Sequence, residues 1–144
     1  MNMNFDKIKN IENEVINRVL VDLCSKDTEL YIVGGYIRDL ILDRECYDRD
    51  YIVKGQSACD LAKRVADFFD GYYVLLDEKF DIARVVLPDK KNTLDFAGCI
   101  GQCLEKDLGR RDFTINAIAY RIDDSKSGLV DIFSGLGDLK NNII

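Results

Sequence analysis

The chain has 144 residues, 47% hydrophobic and 32% charged, which supplies enough apolar material for one core and gives a prior of one domain. It contains no histidine, so Ser-His-Asp triads, Cys-His pairs and His-based zinc sites are excluded. Twenty Lys and Arg against 26 Asp and Glu leave a net charge of -6, the wrong sign for a domain that coats nucleic acid non-specifically.

Residues 5–24 place Ile8, Ile11, Val15, Ile16, Val19 and Leu23 at helical spacing, which predicts one amphipathic helix ended by Asp27-Thr28. Leu30–Val33 is a short β-rich run closed by Gly34-Gly35, and Tyr36–Leu42 reads as a short helix. Tyr51–Val53 is a second strand, stopped by Gly55. Ser57 caps a helix through Phe69, with Cys59, Ala62, Val65, Ala66 and Phe69 on one face. Three strands follow, at 72–76, 83–87 and 93–97. The last two form a hairpin around the polar turn Pro88–Asn92. Phe113–Tyr120 is apolar and helical at its start, and Leu129–Phe133 is a final short strand followed by glycine punctuation. This order predicts an α/β or α+β fold with a mixed sheet flanked by helices.

The five cysteines, Cys24, Cys46, Cys59, Cys99 and Cys103, are odd in number and form no C-x-x-C pair. They read as thiols in a reducing cytoplasm rather than as a disulfide framework. No signal-peptide core precedes the domain, and no apolar run approaches the roughly 20 residues of a membrane span, so no membrane partner is expected.

Three segments can carry chemistry. In Val33–Asp39 two glycines end a strand and open a helix, so Gly34 and Gly35 allow close backbone approach and Arg38 can reach an anion held there. A plain tight turn with a surface Arg is the alternative. In Asp48-Arg49-Asp50, strand periodicity puts both carboxylates on one face and Arg49 on the other. Such a pair repels unless a cation intervenes, and hard oxygen ligands suit Mg²⁺; a solvated turn before a strand is the alternative. In Arg110–Ala117, Arg110 and Arg111 can hold phosphate oxygens and Asp112 or Asn116 a ribose hydroxyl, or Asp112 caps a helix beside exposed arginines. Asp95 alternates with apolar neighbours and either faces water or joins Asp48 and Asp50 as a metal ligand. Arg84 faces solvent or a phosphate.

The motifs GGYIRD (34–39), DRD (48–50) and RRDFTINA (110–117) occur in this order, and LEKDLGRRDFTINAIAY (104–120) surrounds the third. Together they resemble the head domain of class II tRNA nucleotidyltransferases (CCA-adding enzymes) and bacterial poly(A) polymerases. Ile37 departs mildly from a Val in that pattern, and Ile132 and Ser134 depart from its closing segment. The resemblance implies a polymerase-β-like nucleotidyltransferase fold over 29–144, preceded by an N-terminal helix over 1–28. It implies Asp48 and Asp50 as catalytic ligands of two Mg²⁺ ions, with Gly34, Gly35, Arg38, Arg111 and Asp112 contacting the NTP. The implied reaction adds ATP- or CTP-derived nucleotides to a tRNA 3′ end. A poly(A) polymerase head, an isolated NTP- and Mg-binding module without catalysis, and an inactive remnant are the alternatives. No Glu-Asp-x-x-Arg element of the family's base-reading neck occurs here. The neck, body and tail, and the grip on RNA, are expected outside these residues.

Overall fold

The computed structural model describes residues 6–111, 113–124 and 127–141. Seven strands form one mixed sheet in the order β3-β4-β5-β2-β1-β6-β7. They are β1 (Glu29–Val33), β2 (Asp48–Lys54), β3 (Tyr72–Asp77), β4 (Ile82–Val86), β5 (Thr93–Gly98), β6 (Ala119–Arg121) and β7 (Leu129–Val130). Among the described residues only the β2–β5 pairing is parallel, and every other pairing is antiparallel. The hairpin expected between β4 and β5 forms, with Val86 opposite Thr93.

Strand alternation splits the apolar residues between two faces. Leu30 and Ile32 of β1, Tyr51 and Val53 of β2, Leu94 and Phe96 of β5 and Ala83 and Val85 of β4 face the main core. Helices α2 (Val15–Leu23), α3 (Gly35–Ile41) and α4 (Ala58–Phe69) cover it. Ser57 caps α4 as its type favours, its side chain accepting from the Asp60 amide at 3.2 Å. On the opposite face Tyr31, Val33, Ile52 and Ala119 pack with Leu108 in a smaller cluster under α5 (Leu104–Gly109). The rest of that face, at the start of β2 and across β5 and β4, carries Asp48, Asp50, Asp95 and Arg84.

Four expectations change. The helix expected over 5–24 is broken into α1 (Asp6–Lys9), a 3-10 turn (Ile11–Asn13) and α2. Glu14 adopts an extended conformation, and its carboxylate accepts from Tyr36 Oη at 2.8 Å. The helical start expected at Phe113 is a single 3-10 turn, Thr114–Asn116, and the chain then enters β6 beside β1. The last strand is shorter than expected, Leu129–Val130. The glycine-punctuated end is a helix, α6 (Gly135–Lys140), whose Gly135 and Leu136 amides donate to the Asp131 carboxylate at 2.6 and 3.0 Å. No described helix is long and apolar enough to cross a membrane.

Candidate active site

Strand β1 delivers the chain to Gly34 beside the start of β2, where Val33 lies opposite Asp50. Gly34 has φ +77° and ψ −139°, a conformation that L side chains rarely adopt, and its amide donates to Ile118 O at 3.2 Å. A Cβ placed there would lie 3.5 Å from Arg111 Nη1 and 3.7 Å from Asp50 Oδ2. The bare backbone of Gly34 is therefore the floor between a guanidinium and a carboxylate. One turn further, Arg38 donates to Asn116 Oδ1 at 3.0 Å and to Asp39 Oδ1 at 3.1 Å, tying α3 to the 3-10 turn of 114–116. Gly35 lies against the same guanidinium, its missing Cβ only 3.2 Å from Arg38 Nη2.

Asp48 and Asp50 are exposed on one face of β2, as alternation requires. Parallel pairing sets Asp50 beside Asp95 of β5, and antiparallel pairing sets Asp95 beside Arg84 of β4. Arg84 grips Asp95 with two hydrogen bonds, Nε–Oδ1 at 2.8 Å and Nη2–Oδ2 at 3.1 Å. The row Asp50–Asp95–Arg84 thus crosses three strands. Asp95 stands next to the carboxylate pair but is engaged by Arg84. Among the described residues no three acid or thiol side chains converge as a metal cage. Surrounding protein, then the like charges of Asp95 and Asp48, push the Asp50 pKa up, against the opposing pull of Arg111 and Arg84.

Arg111 follows α5 and is half-buried, with its Nε lacking a hydrogen-bond partner. Desolvation, then the neighbouring Arg110, lowers its pKa, while Asp107 and Asp50 oppose that shift. Asp107, fully buried in α5, accepts from the Ile100 amide at 3.2 Å and lies 3.6 Å from Arg110 and 4.0 Å from Arg111. The signal available in the sequence was its spacing, three and four residues before Arg110 and Arg111. Arg110 and Arg111 both reach Asp107 Oδ1, and Arg110 also lines a cleft with Phe80, Ile82, Ala97, Gly98 and Ile100. Asp112 lies outside the described residues.

The opposite side of β2 holds a second arrangement that sequence reasoning missed. Arg49 donates to Asn92 Oδ1 (3.0 Å), Tyr36 Oη (3.2 Å) and Glu14 Oε2 (3.4 Å), and its guanidinium lies 4.6 Å from the Tyr36 ring centroid. Two residues on, Tyr51 donates to buried Asn17 at 2.6 Å, and Asn17 donates to Ile11 O at 2.9 Å. Burial, which outweighs the nearby Arg49, pushes the Tyr36 hydroxyl up to about 12. This network clamps the side of β2 opposite Asp48 and Asp50 to the N-terminal segment and to the β4–β5 turn.

The family model described as Poly A polymerase head domain matches residues 30–99 and 88–144. A CC-adding tRNA nucleotidyltransferase of Synechocystis sp. is 41% identical over 125 residues, covering 85% of this chain and 29% of that protein. The solved complex of a CCA-adding enzyme with CTP superposes with a TM-score of 0.77 at 30% identity, covering 98% of this chain and 36% of the other. A tRNA nucleotidyltransferase complexed with a primer tRNA and an incoming ATP analog gives 0.75 at 34% identity, covering 90% and 38%. The chain therefore spans about a third of the proteins it matches, and the fold it shares with them is polymerase-β-like.

Proposed function

This chain belongs to the Poly A polymerase head domain family, and we propose on that premise that it is the catalytic head of an RNA nucleotidyltransferase. One observation carries the reading: Gly34, Arg111 and Asp50, from three separate motifs, meet within 4 Å of one point. A bare backbone, a guanidinium short of hydrogen bonds and a carboxylate with a raised pKa are the parts that receive a nucleoside triphosphate with a divalent cation.

In the proposed reaction an RNA 3′-hydroxyl attacks the α-phosphorus of an NTP. The new P–O bond forms as the bond to the pyrophosphate breaks, and the hydroxyl proton leaves to solvent. The residues fit Mg²⁺, since Asp48 and Asp50 are hard oxygen donors on alternate residues of one strand face. Two protein carboxylates plus substrate oxygens are a common complement for this ion. When bound, Mg²⁺ neutralises charge on the attacking and leaving oxygens. Arg111 supplies further positive charge beside Gly34, where the phosphates lie closest to the backbone. Asn116 fixes the orientation of Arg38. Asp95 is held by Arg84 beside the pair and shapes its field. Asp112 completes the proposed nucleotide contacts from RRDFTINA, and the cytoplasm suits five cysteines that are all free thiols.

The relatives that carry CTP and an ATP analog share this fold, and the assembled side chains address phosphate and metal rather than a base edge. ATP and CTP are therefore expected to bind with similar affinity. tRNA lacking its 3′ nucleotides is the proposed acceptor. The test is incorporation of α-labelled CTP and ATP into such a tRNA with Mg²⁺. The wild-type chain should transfer label and Asp50→Asn should not. Equal transfer by both proteins refutes the assignment.

A further inference from the structure

We propose that the cleft lined by Phe80, Ile82, Ala97, Gly98, Ile100 and Arg110 receives a base of the acceptor RNA strand, with Arg110 and Lys79 meeting its phosphates. The inference rests on the nucleotidyl-transfer reading and specifies where the attacking strand enters.

Its position comes first. Attacking and leaving oxygens stand roughly in line in phosphoryl transfer, so acceptor and pyrophosphate approach from opposite sides of the carboxylates. Gly34, Arg111 and Asn116 lie on the β1 and β6 side of β2. The cleft lies on the other side, over β4 and β5, where Ile82 and Ala97 are register partners. It opens on the same sheet face as Asp95 and Arg84, two residues further along the strands. Both arginines at the end of α5 reach Asp107; Arg111 also lies against Gly34 and Arg110 also lines the cleft.

Its chemistry comes second. Phe80 is 60% exposed and Ile100 43%, large apolar side chains left to water. The turn that presents Phe80 is held firmly. Asp81, at φ +57°, accepts from Ser57 Oγ (3.0 Å) and from the Ala58 and Cys59 amides (2.6 and 2.9 Å), and the Phe80 amide donates to Asp77 Oδ1 at 3.0 Å. Gly98 lets this turn close onto β5, since a Cβ there would meet Asp81 Oδ2 at 3.0 Å. A rigid turn with an exposed ring is a platform. Lys79 Nζ lies 5.5 Å from the Phe80 ring centroid, and Arg110, paired with Asp107 at 3.6 Å but 48% exposed, lines the same cleft. An exposed aromatic face beside cations is how proteins hold single-stranded nucleic acid. The cleft, at about 180 Å³, suits one ring system rather than a whole small molecule.

The test uses the full chain and a fluorescein-labelled single-stranded RNA, read by anisotropy, with Mn²⁺·ATP affinity measured in parallel by calorimetry. Phe80→Ala should weaken RNA binding about tenfold or more, and Phe80→Trp should retain it. Arg110→Gln should weaken it and reduce the salt slope by about one. Nucleotide affinity should stay constant in both Phe80 variants. Unchanged RNA binding in Phe80→Ala, as expected if the cleft docks a protein segment instead, overturns the proposal. So does failure of the wild-type chain to bind RNA, or a parallel loss of nucleotide affinity. Transfer activity separates the two readings: transfer that ignores Phe80 leaves the catalytic reading standing and removes this one. RNA binding that needs Phe80 without any transfer does the reverse.

Discussion

Arg49→Met keeps most of the length of the side chain and removes its charge. Arg49 is largely buried, donates at 3.0 and 3.2 Å to Asn92 and Tyr36, reaches Glu14 at 3.4 Å, and stacks on Tyr36 at 4.6 Å. A cation over a ring contributes about 0.5–2 kcal/mol and a hydrogen bond from a charged donor about 1.5–3. The Glu14 contact is long and Glu14 keeps access to water, so it adds little. Methionine recovers part of the stacking through its stem and sulfur. The expected net cost is about 2–4 kcal/mol, which lowers the Tm by about 6–12 °C for a chain of this length. Thermal unfolding followed by circular dichroism measures it. Glu14→Gln should cost less, and the double variant should cost less than the sum, since both remove one contact. The strand clamp also holds Asp48 and Asp50, so Mn²⁺ should raise the Tm of Arg49→Met less than that of wild type. A loss below about 0.5 kcal/mol, typical of an unremarkable surface site, would refute the clamp.

Gly34→Ala should retain the fold at a cost of about 1–3 kcal/mol, because alanine resists φ +77°, and should weaken Mn²⁺·ATP binding measured by calorimetry. In Gly135→Ala the new Cβ would run into the Thr114 carbonyl, so α6 must move off the 3-10 turn and urea unfolding should shift to markedly lower denaturant. Desolvation raises the Asp81 pKa, but the Cys59 and Ala58 amides and the Ser57 and Cys59 side chains outweigh it and hold the pKa below the ordinary value. Its stabilisation is therefore present above the unfolded-state pKa and is lost as pH falls through the folded one. Asp81→Ala should cost about 1–2 kcal/mol at neutral pH, and urea midpoints of variant and wild type should converge on acidification. Asp50 has the opposite sign: its raised pKa makes the ionised form unfavourable above that value and costless below the unfolded-state pKa. Asp50→Asn should raise the Tm of the metal-free chain at neutral pH, with the gain fading in acid.

Local features of the sequence carried the site and long-range contacts decided the rest. The alternation of Asp48 and Asp50 and the double glycine after β1 are local signals, and both stand where periodicity put them. The break at Glu14 is not marked locally, and the partners of its carboxylate, Arg49 and Tyr36, are both distant in sequence. Ala119–Arg121 is too short for its pattern to choose between helix and strand, and its pairing with β1 chooses. Helix α6 was hidden by Gly135 and Gly137, which read as punctuation. Gly135 is there to pass the Thr114 carbonyl, and the cap comes from Asp131, four residues upstream.

The central claim is that Asp48 and Asp50 hold a divalent cation shared with a nucleotide. A Mn²⁺ titration followed by electron paramagnetic resonance, with and without ATP, tests it in the wild-type chain and in Asp48→Asn/Asp50→Asn. Wild type should deplete free Mn²⁺, more tightly when ATP is present, and the double variant should deplete none beyond what ATP alone takes up. Identical titrations for the two proteins would contradict the claim.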